Sequence, residues 1–141
     1  MIKENELRIG NYVTIDNKQS HPTISGQMGL VIGILERYEK LFPKSTASIS
    51  IQIGDNSFSQ FNEYIEPIPL TEEWLVKLGF ELFQDENDAF PSYHHKYSFV
   101  LDEKFQPSDV GFPIAHIEFK YVHQLQNLYF ALTGEELTIK S

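Results

Sequence analysis

The chain has 141 residues and a mass of 16.3 kDa, the size of one ordinary domain. It has no cysteine, which excludes disulfides, Cys-ligated zinc, iron–sulfur clusters and a thiolate nucleophile. Its formal net charge of −9 has the wrong sign for a general nucleic-acid binder, and only Arg8 and Arg37 could fork onto phosphates or base edges.

Aromatic residues make up 13% of the chain, with 11 Phe, so there is material for a folded core. The start of the chain has no basic stretch leading into an apolar run. The longest apolar run, 28–35, falls well short of the roughly 20 residues that cross a bilayer. A cytoplasmic protein without membrane association is the expectation.

The first half reads as β. Leu7, Ile9, Val13 and Ile15 fall on one face of an extended strand, with Gly10-Asn11 as a bulge or bend. Residues 17–27 hold Pro22, Gly26 and several polar side chains, so they read as a loop. Met28, Leu30, Ile32 and Ile34 alternate with Gly29, Val31, Gly33 and Leu35, a strand apolar on both sides. Ala47, Ile49, Ile51 and Ile53 alternate with Ser48, Ser50 and Gln52, a half-buried strand. Gly54-Asp55-Asn56 marks a turn, and Pro67 gives the run 64–68 an edge position. Four or five short strands suit a small SH3-like barrel or a strongly bent sheet.

The period changes near Pro67-Ile68-Pro69. Thr71 is an N-cap, Glu72 and Glu73 suit the positive helix end, and Leu70 and Leu75 can form a hydrophobic staple. Gly79 suits a left-handed C-terminal residue, with Phe80 packing back on Leu75. These signals predict a helix over 72–78. Residues 84–92 read as a solvated loop. Tyr97, Phe99 and Leu101 predict one strand, and Ala115, Ile117, Phe119 and Tyr121 another, separated by a loop with Pro107, Gly111 and Pro113. Tyr121, Val122, Leu125, Leu128, Tyr129 and Leu132 share a stripe at about 100° per residue, predicting a helix over 122–132 capped by Gly134. The expected architecture is α+β: a β-rich lobe over 1–69 and an α-β-β-α lobe over 70–141. The acidity is concentrated in the later part, which carries −7 over 67–141 against −2 over 1–66.

Three stretches carry a resemblance. They are Glu6-Leu7-Arg8-Ile9-Gly10-Asn11-Tyr12-Val13, then Pro67-Ile68-Pro69-Leu70-Thr71-Glu72-Glu73-Trp74-Leu75 with Gly79-Phe80, then Tyr121-Val122-His123-Gln124-Leu125-Gln126-Asn127-Leu128-Tyr129-Phe130 through Leu137. Together they cover about a third of the chain. Their order resembles a family of small proteins from Bacteroidetes-type bacteria, often in prophage or mobile-element settings. The resemblance brings no assigned activity and no catalytic motif.

Chemistry-bearing patterns are sparse. His94 and His95 are adjacent, and neighbours on a strand point to opposite faces, so they would not readily share a metal. His116 and Glu118 are two apart on a predicted strand and could offer metal ligands or a base with its orienting carboxylate. A solvated strand face explains them as well. There is no Gly-x-Ser-x-Gly elbow, phosphate-cradling glycine loop, His-Glu-x-x-His pair or complete calcium loop. No catalytic residue, metal ligand or cofactor is assigned. On the second helix, His123, Asn127 and Phe130 fall outside the apolar stripe. Either the helix is covered on two sides, the favoured reading, or these three form a partner-contact patch.

Three functions are carried forward in order. The first is a non-enzymatic protein-interaction module of a prophage or mobile element, with another protein as partner. The second is an acidic mimic of nucleic acid that blocks a DNA-binding protein. The third is an enzyme or metal-binding protein using His116 and Glu118.

Overall fold

The computed structural model describes residues 2, 4–36, 47–87, 90–96, 99–109, 112–113 and 119–140. The chain forms two compact units. The first comprises Met1–Pro69 with Tyr121–Leu128, and the second Leu70–Lys120 with Tyr129–Ser141. The predicted lobes placed all of 70–141 together, whereas the contacts group the start of the last helix with the first unit.

The first unit is built on a bent, five-stranded antiparallel sheet: β1 (Tyr12–Ile15), β2 (Met28–Glu36), β3 (Ala47–Ile53), β4 (Asn56–Phe61) and β5 (Ile65–Glu66). Their order is β4-β3-β2-β1-β5, which leaves β4 and β5 as edges rather than closing a barrel. A register shift between Val31 and Gly33 marks an irregularity in β2. Alternation decides which side chains go inward. Val13 and Ile15, and then Ala47, Ile49 and Ile51, are fully buried with Val31 and Ile65. The first strand is shorter than predicted. Gly10 takes a positive φ of 101°, so the chain turns at Ile9-Gly10 and Ile9 is exposed.

The second unit holds helix α1 (Glu72–Lys77) and a second antiparallel sheet of β6 (Glu81–Phe83), β7 (Ser92–His94), β8 (Val100–Leu101), β9 (Pro107–Asp109) and β10 (Phe112–Pro113). The order is sequential, β10-β9-β8-β7-β6. The α+β class is found, but this sheet is larger than the two strands predicted. Pro107 and Pro113 lie in strands, not in a loop, and residues 92–94 are strand as well. Strands of two or three residues leave no measurable alternation in a sequence. Residues 115–118 of the second predicted strand lie outside the described residues.

Helix α1 ends as its sequence dictates. Thr71 Oγ1 accepts from the Trp74 N–H at 3.2 Å. At the other end Phe80 N–H donates to the Leu75 carbonyl and Gly79 N–H to that of Val76, a Schellman ending around Gly79 at φ 92°. Helix α2 (Val122–Thr133) closes on Gly134, whose N–H donates to the Phe130 carbonyl.

Candidate functional site

The Schellman ending of α1 sets up a cleft in the second unit. Turning the chain at Gly79 leaves the Leu78 carbonyl without a helical donor, and His95 Nε2–H supplies one at 3.1 Å. That bond fixes the tautomer. His95 Nδ1 is then an acceptor, and the Tyr129 hydroxyl donates to it at 3.0 Å. The His95 ring also lies against Phe80 and Tyr129, with centroids 4.9 and 5.0 Å away, and Tyr129 against Phe99 at 5.2 Å. A Cβ on Gly79 would come within 3.2 Å of His95 Nε2, so glycine serves both the turn and the close approach.

Burial keeps this pair neutral. It lowers the His95 pKa below the ordinary imidazole value, against the hydrogen bond to Leu78, with nearby Lys96 also lowering it and Glu135 raising it. It raises the Tyr129 phenol above its ordinary value, with Glu135 adding to the effect. Both ring nitrogens of His95 are engaged, so its lone pair is committed to Tyr129. The arrangement positions rings and a helix end, and it presents a surface more readily than a free base.

The cleft beside this pair has a volume of about 570 Å³. Glu81 and Phe83 reach it from β6, because residues two apart on a strand share a face. His94, opposite Glu81 in the ladder, joins them, with its ring 4.5 Å from that of Phe83. Carboxylates of Glu135 and Glu136 and ammoniums of Lys96 and Lys140 give the cleft both signs of charge. Strand β6 forms an edge of its sheet, and all three of its residues are exposed, Leu82 by 47% and Phe83 by 50%. A strand edge offers backbone groups for pairing, and this one presents Glu81, Leu82 and Phe83.

Adjacent histidines were expected to diverge. In the structure β7 ends at His94, so strand alternation does not extend to His95, and both border the same cleft. Among the described residues no group of three His, Asp or Glu side chains could hold a metal ion. His116 and Glu118 lie outside the described residues.

The three residues singled out on α2 have separate places. His123 is 4% exposed, and its Nδ1 is buried without a hydrogen-bond partner among the described residues. Asn127 works inside the first unit. Its Oδ1 accepts from Asn11 Nδ2 at 2.9 Å and from Arg8 Nη1 at 3.3 Å, and its Nδ2 donates to the Glu6 carbonyl at 2.9 Å. Phe130 is 39% exposed. The three therefore present no common exposed patch. Coverage on two sides describes the helix over 122–126, where Val122 and Leu125 are buried, as are His123 and Gln126. Leu132, read as part of the apolar stripe, is exposed.

Gln126 is a residue that the sequence reading missed. Its Oε1 accepts from the Tyr12 N–H and its Nε2 donates to the Gly10 carbonyl, both at 2.9 Å. The signal was present in the pairing of Gly10-Asn11 with Gln126-Asn127, two of the segments that carry the resemblance. Compared with protein families, curated proteins and solved structures, the chain finds no match.

Two imidazoles, His123 buried and His95 half-buried, give a pH dependence. Burial lowers the pKa of His123, against the raising influence of Glu6, as it lowers that of His95. As pH falls below the ordinary value of about 6.5, the unfolded chain therefore binds protons before the folded one. Stability is expected to be full above that pH, to decline below it and to level off once the folded-state values are passed. Urea midpoints measured at neutral and mildly acidic pH check this. The expected slope shrinks when His123 is replaced by Gln.

Proposed function

We propose that the chain is a non-enzymatic interaction module whose second unit takes an extended segment of a partner protein along the edge of β6. The observation that carries this reading is the exposed edge itself, with Phe83 on the cleft and Leu82 exposed on the opposite face of the strand. A peptide added as a further strand gains main-chain hydrogen bonds from the edge, while alternate side chains find the cleft. The closed Tyr129–His95–Leu78 chain supports a binding role over catalysis, because it leaves the imidazole no free lone pair.

Charge indicates the partner's chemistry. In sequence, Glu72 and Glu73 on α1, Glu81 on β6, and Asp85 and Glu86 after it put five carboxylates on and either side of the edge strand, against Lys77 between them. Lys77 is already within 3.4 Å of Glu73. The fitting segment is apolar at alternate positions and flanked by Lys or Arg. A protein of the same prophage or mobile element is the partner class that the resemblance supports. Among the described residues no helix is long and apolar enough to cross a membrane.

Panning a random peptide library against the full chain tests this. The expected result is enrichment of alternating apolar sequences with basic flanks, binding at least tenfold more weakly to a Leu82→Lys, Phe83→Lys variant. Both positions are exposed, so the variant's stability should stay within about 0.5 kcal/mol of the parent. Failure to enrich any peptide, or equal binding by the variant, would overturn the reading.

A further inference from the structure

A second cavity, of about 330 Å³, lies wholly within the first unit and is independent of β6. The chain is 22% charged, yet among the described residues no Asp, Glu, Lys or Arg borders this cavity. Four hydroxyl-bearing residues do, Ser20, Ser48, Ser59 and Tyr64. So do the aromatic residues Phe61 and Tyr64, the amide residues Asn17 and Gln60, and His21.

The amides are fixed before any ligand arrives. Asn17 and Gln60 are both buried, and buried amides are costly unless they are paired. Asn17 Nδ2 donates to Gln60 Oε1 at 2.9 Å, and Asn17 Oδ1 accepts from the Ser20 N–H at 3.2 Å. Gln60 Nε2 lies 3.1 Å from His21 Nδ1, and as an amide nitrogen it can only donate. His21 Nδ1 is therefore the acceptor of that bond. The Asn17 N–H is held separately by Ser25 Oγ at 3.1 Å.

We infer that this cavity binds a neutral, polyhydroxylated ligand, a sugar ring either free or within a glycan. An ionic ligand would lose its hydration here and meet no Asp, Glu, Lys or Arg among the described residues. A purely apolar ligand would strip water from the hydroxyls and give nothing back. A sugar satisfies both constraints: its hydroxyls exchange hydrogen bonds with the Ser, Tyr, Asn and Gln groups, and its C–H face suits aromatic rings. The volume lies at the small end of the usual range for ligand sites, about 300–1,000 Å³, which favours one or two rings.

The test is a nitrogen-15 NMR titration of the full chain. The probes are the methyl glycosides of glucose, galactose, mannose and N-acetylglucosamine, and linear tetrasaccharides of glucose and N-acetylglucosamine. Acetate and choline serve as charged probes. At least one glycoside is expected to shift the side-chain amide signals of Asn17 and Gln60, with no such shift from acetate or choline. Ser59→Lys, at an exposed position on β4, should leave the spectrum folded and weaken the response at least tenfold. Tighter binding of a tetrasaccharide than of its monosaccharide assigns the site to a glycan chain, and equal binding to a free sugar. Silence of both amides toward every sugar up to about 10 mM, beyond ordinary weak affinity, would overturn the inference. So would equal shifts from the charged probes, or an unchanged response in Ser59→Lys.

Discussion

Replacing Gln126 with leucine is expected to lower the stability of the first unit by about 2–4 kcal/mol, the cost of removing the partner of two half-buried backbone groups. Gln126 is fully buried, and its amide answers the Tyr12 N–H and the Gly10 carbonyl together. These groups need an outside partner because Gly10, at φ 101°, breaks the strand just before β1 begins. Just ahead of the β1–β2 ladder, the Gly10 N–H donates to the Val31 carbonyl and the Val31 N–H to the Asn11 carbonyl. Leucine keeps most of the volume and removes both polar atoms, so packing loss is not the main effect. Chemical denaturation followed by circular dichroism measures the change. Hydrogen exchange at the Tyr12 amide locates it, since that proton should lose its protection first. Asn127→Ala removes bonds at a partly exposed position and should cost less, about 1–2 kcal/mol. A loss below about 1 kcal/mol for Gln126→Leu would mean that water replaces the amide at little cost.

Gly29→Ala is expected to destabilise the same unit by about 3 kcal/mol, at the upper end of overpacking effects. Gly29 lies in β2, where a Cβ would collide with Ile51 Cγ2 and come within 3.2 Å of Ile53 Cγ1. Ile51 cannot give way easily. Its Cγ2 is attached directly to a branched Cβ, and the side chain is fully buried in the centre of β3. Gly33 offers a contrast in the same strand, because a Cβ there meets Ser50 Cβ at 3.3 Å, a contact that a small shift relieves. Gly33→Ala should therefore cost clearly less. If the Ile51 contact is the cause, Ile51→Ala should rescue part of the Gly29→Ala loss, and the double variant should be more stable than additivity requires.

The legible parts of the fold were those with enough residues to show a period or a cap. Ala47–Ile53 alternates over seven residues and is β3 in full. Thr71, Gly79 and Phe80 announced both ends of α1. The second sheet was mostly illegible, because its strands run for two or three residues and two of them contain proline. A strand that short is specified by its neighbours in space, not by its own pattern. The cleft was hidden for a related reason. His95 lies one residue past the end of β7, so alternation gave the wrong geometry for it, and its partners are 17 and 34 residues away. Gln126 and His123 were hidden by polarity. An apolar stripe marks one buried helix face, but a second face closed by an amide and an imidazole has no hydropathy signature.

Hydrogen exchange at β6 tests the central claim most directly. A peptide enriched on the full chain would be added at saturation, and exchange would be followed amide by amide. Binding by strand addition is expected to slow exchange within Glu81–Phe83, and to do so much less in the Leu82→Lys, Phe83→Lys variant. Protection confined to another element, with the amides of β6 unchanged, would contradict the assignment of this edge as the binding surface.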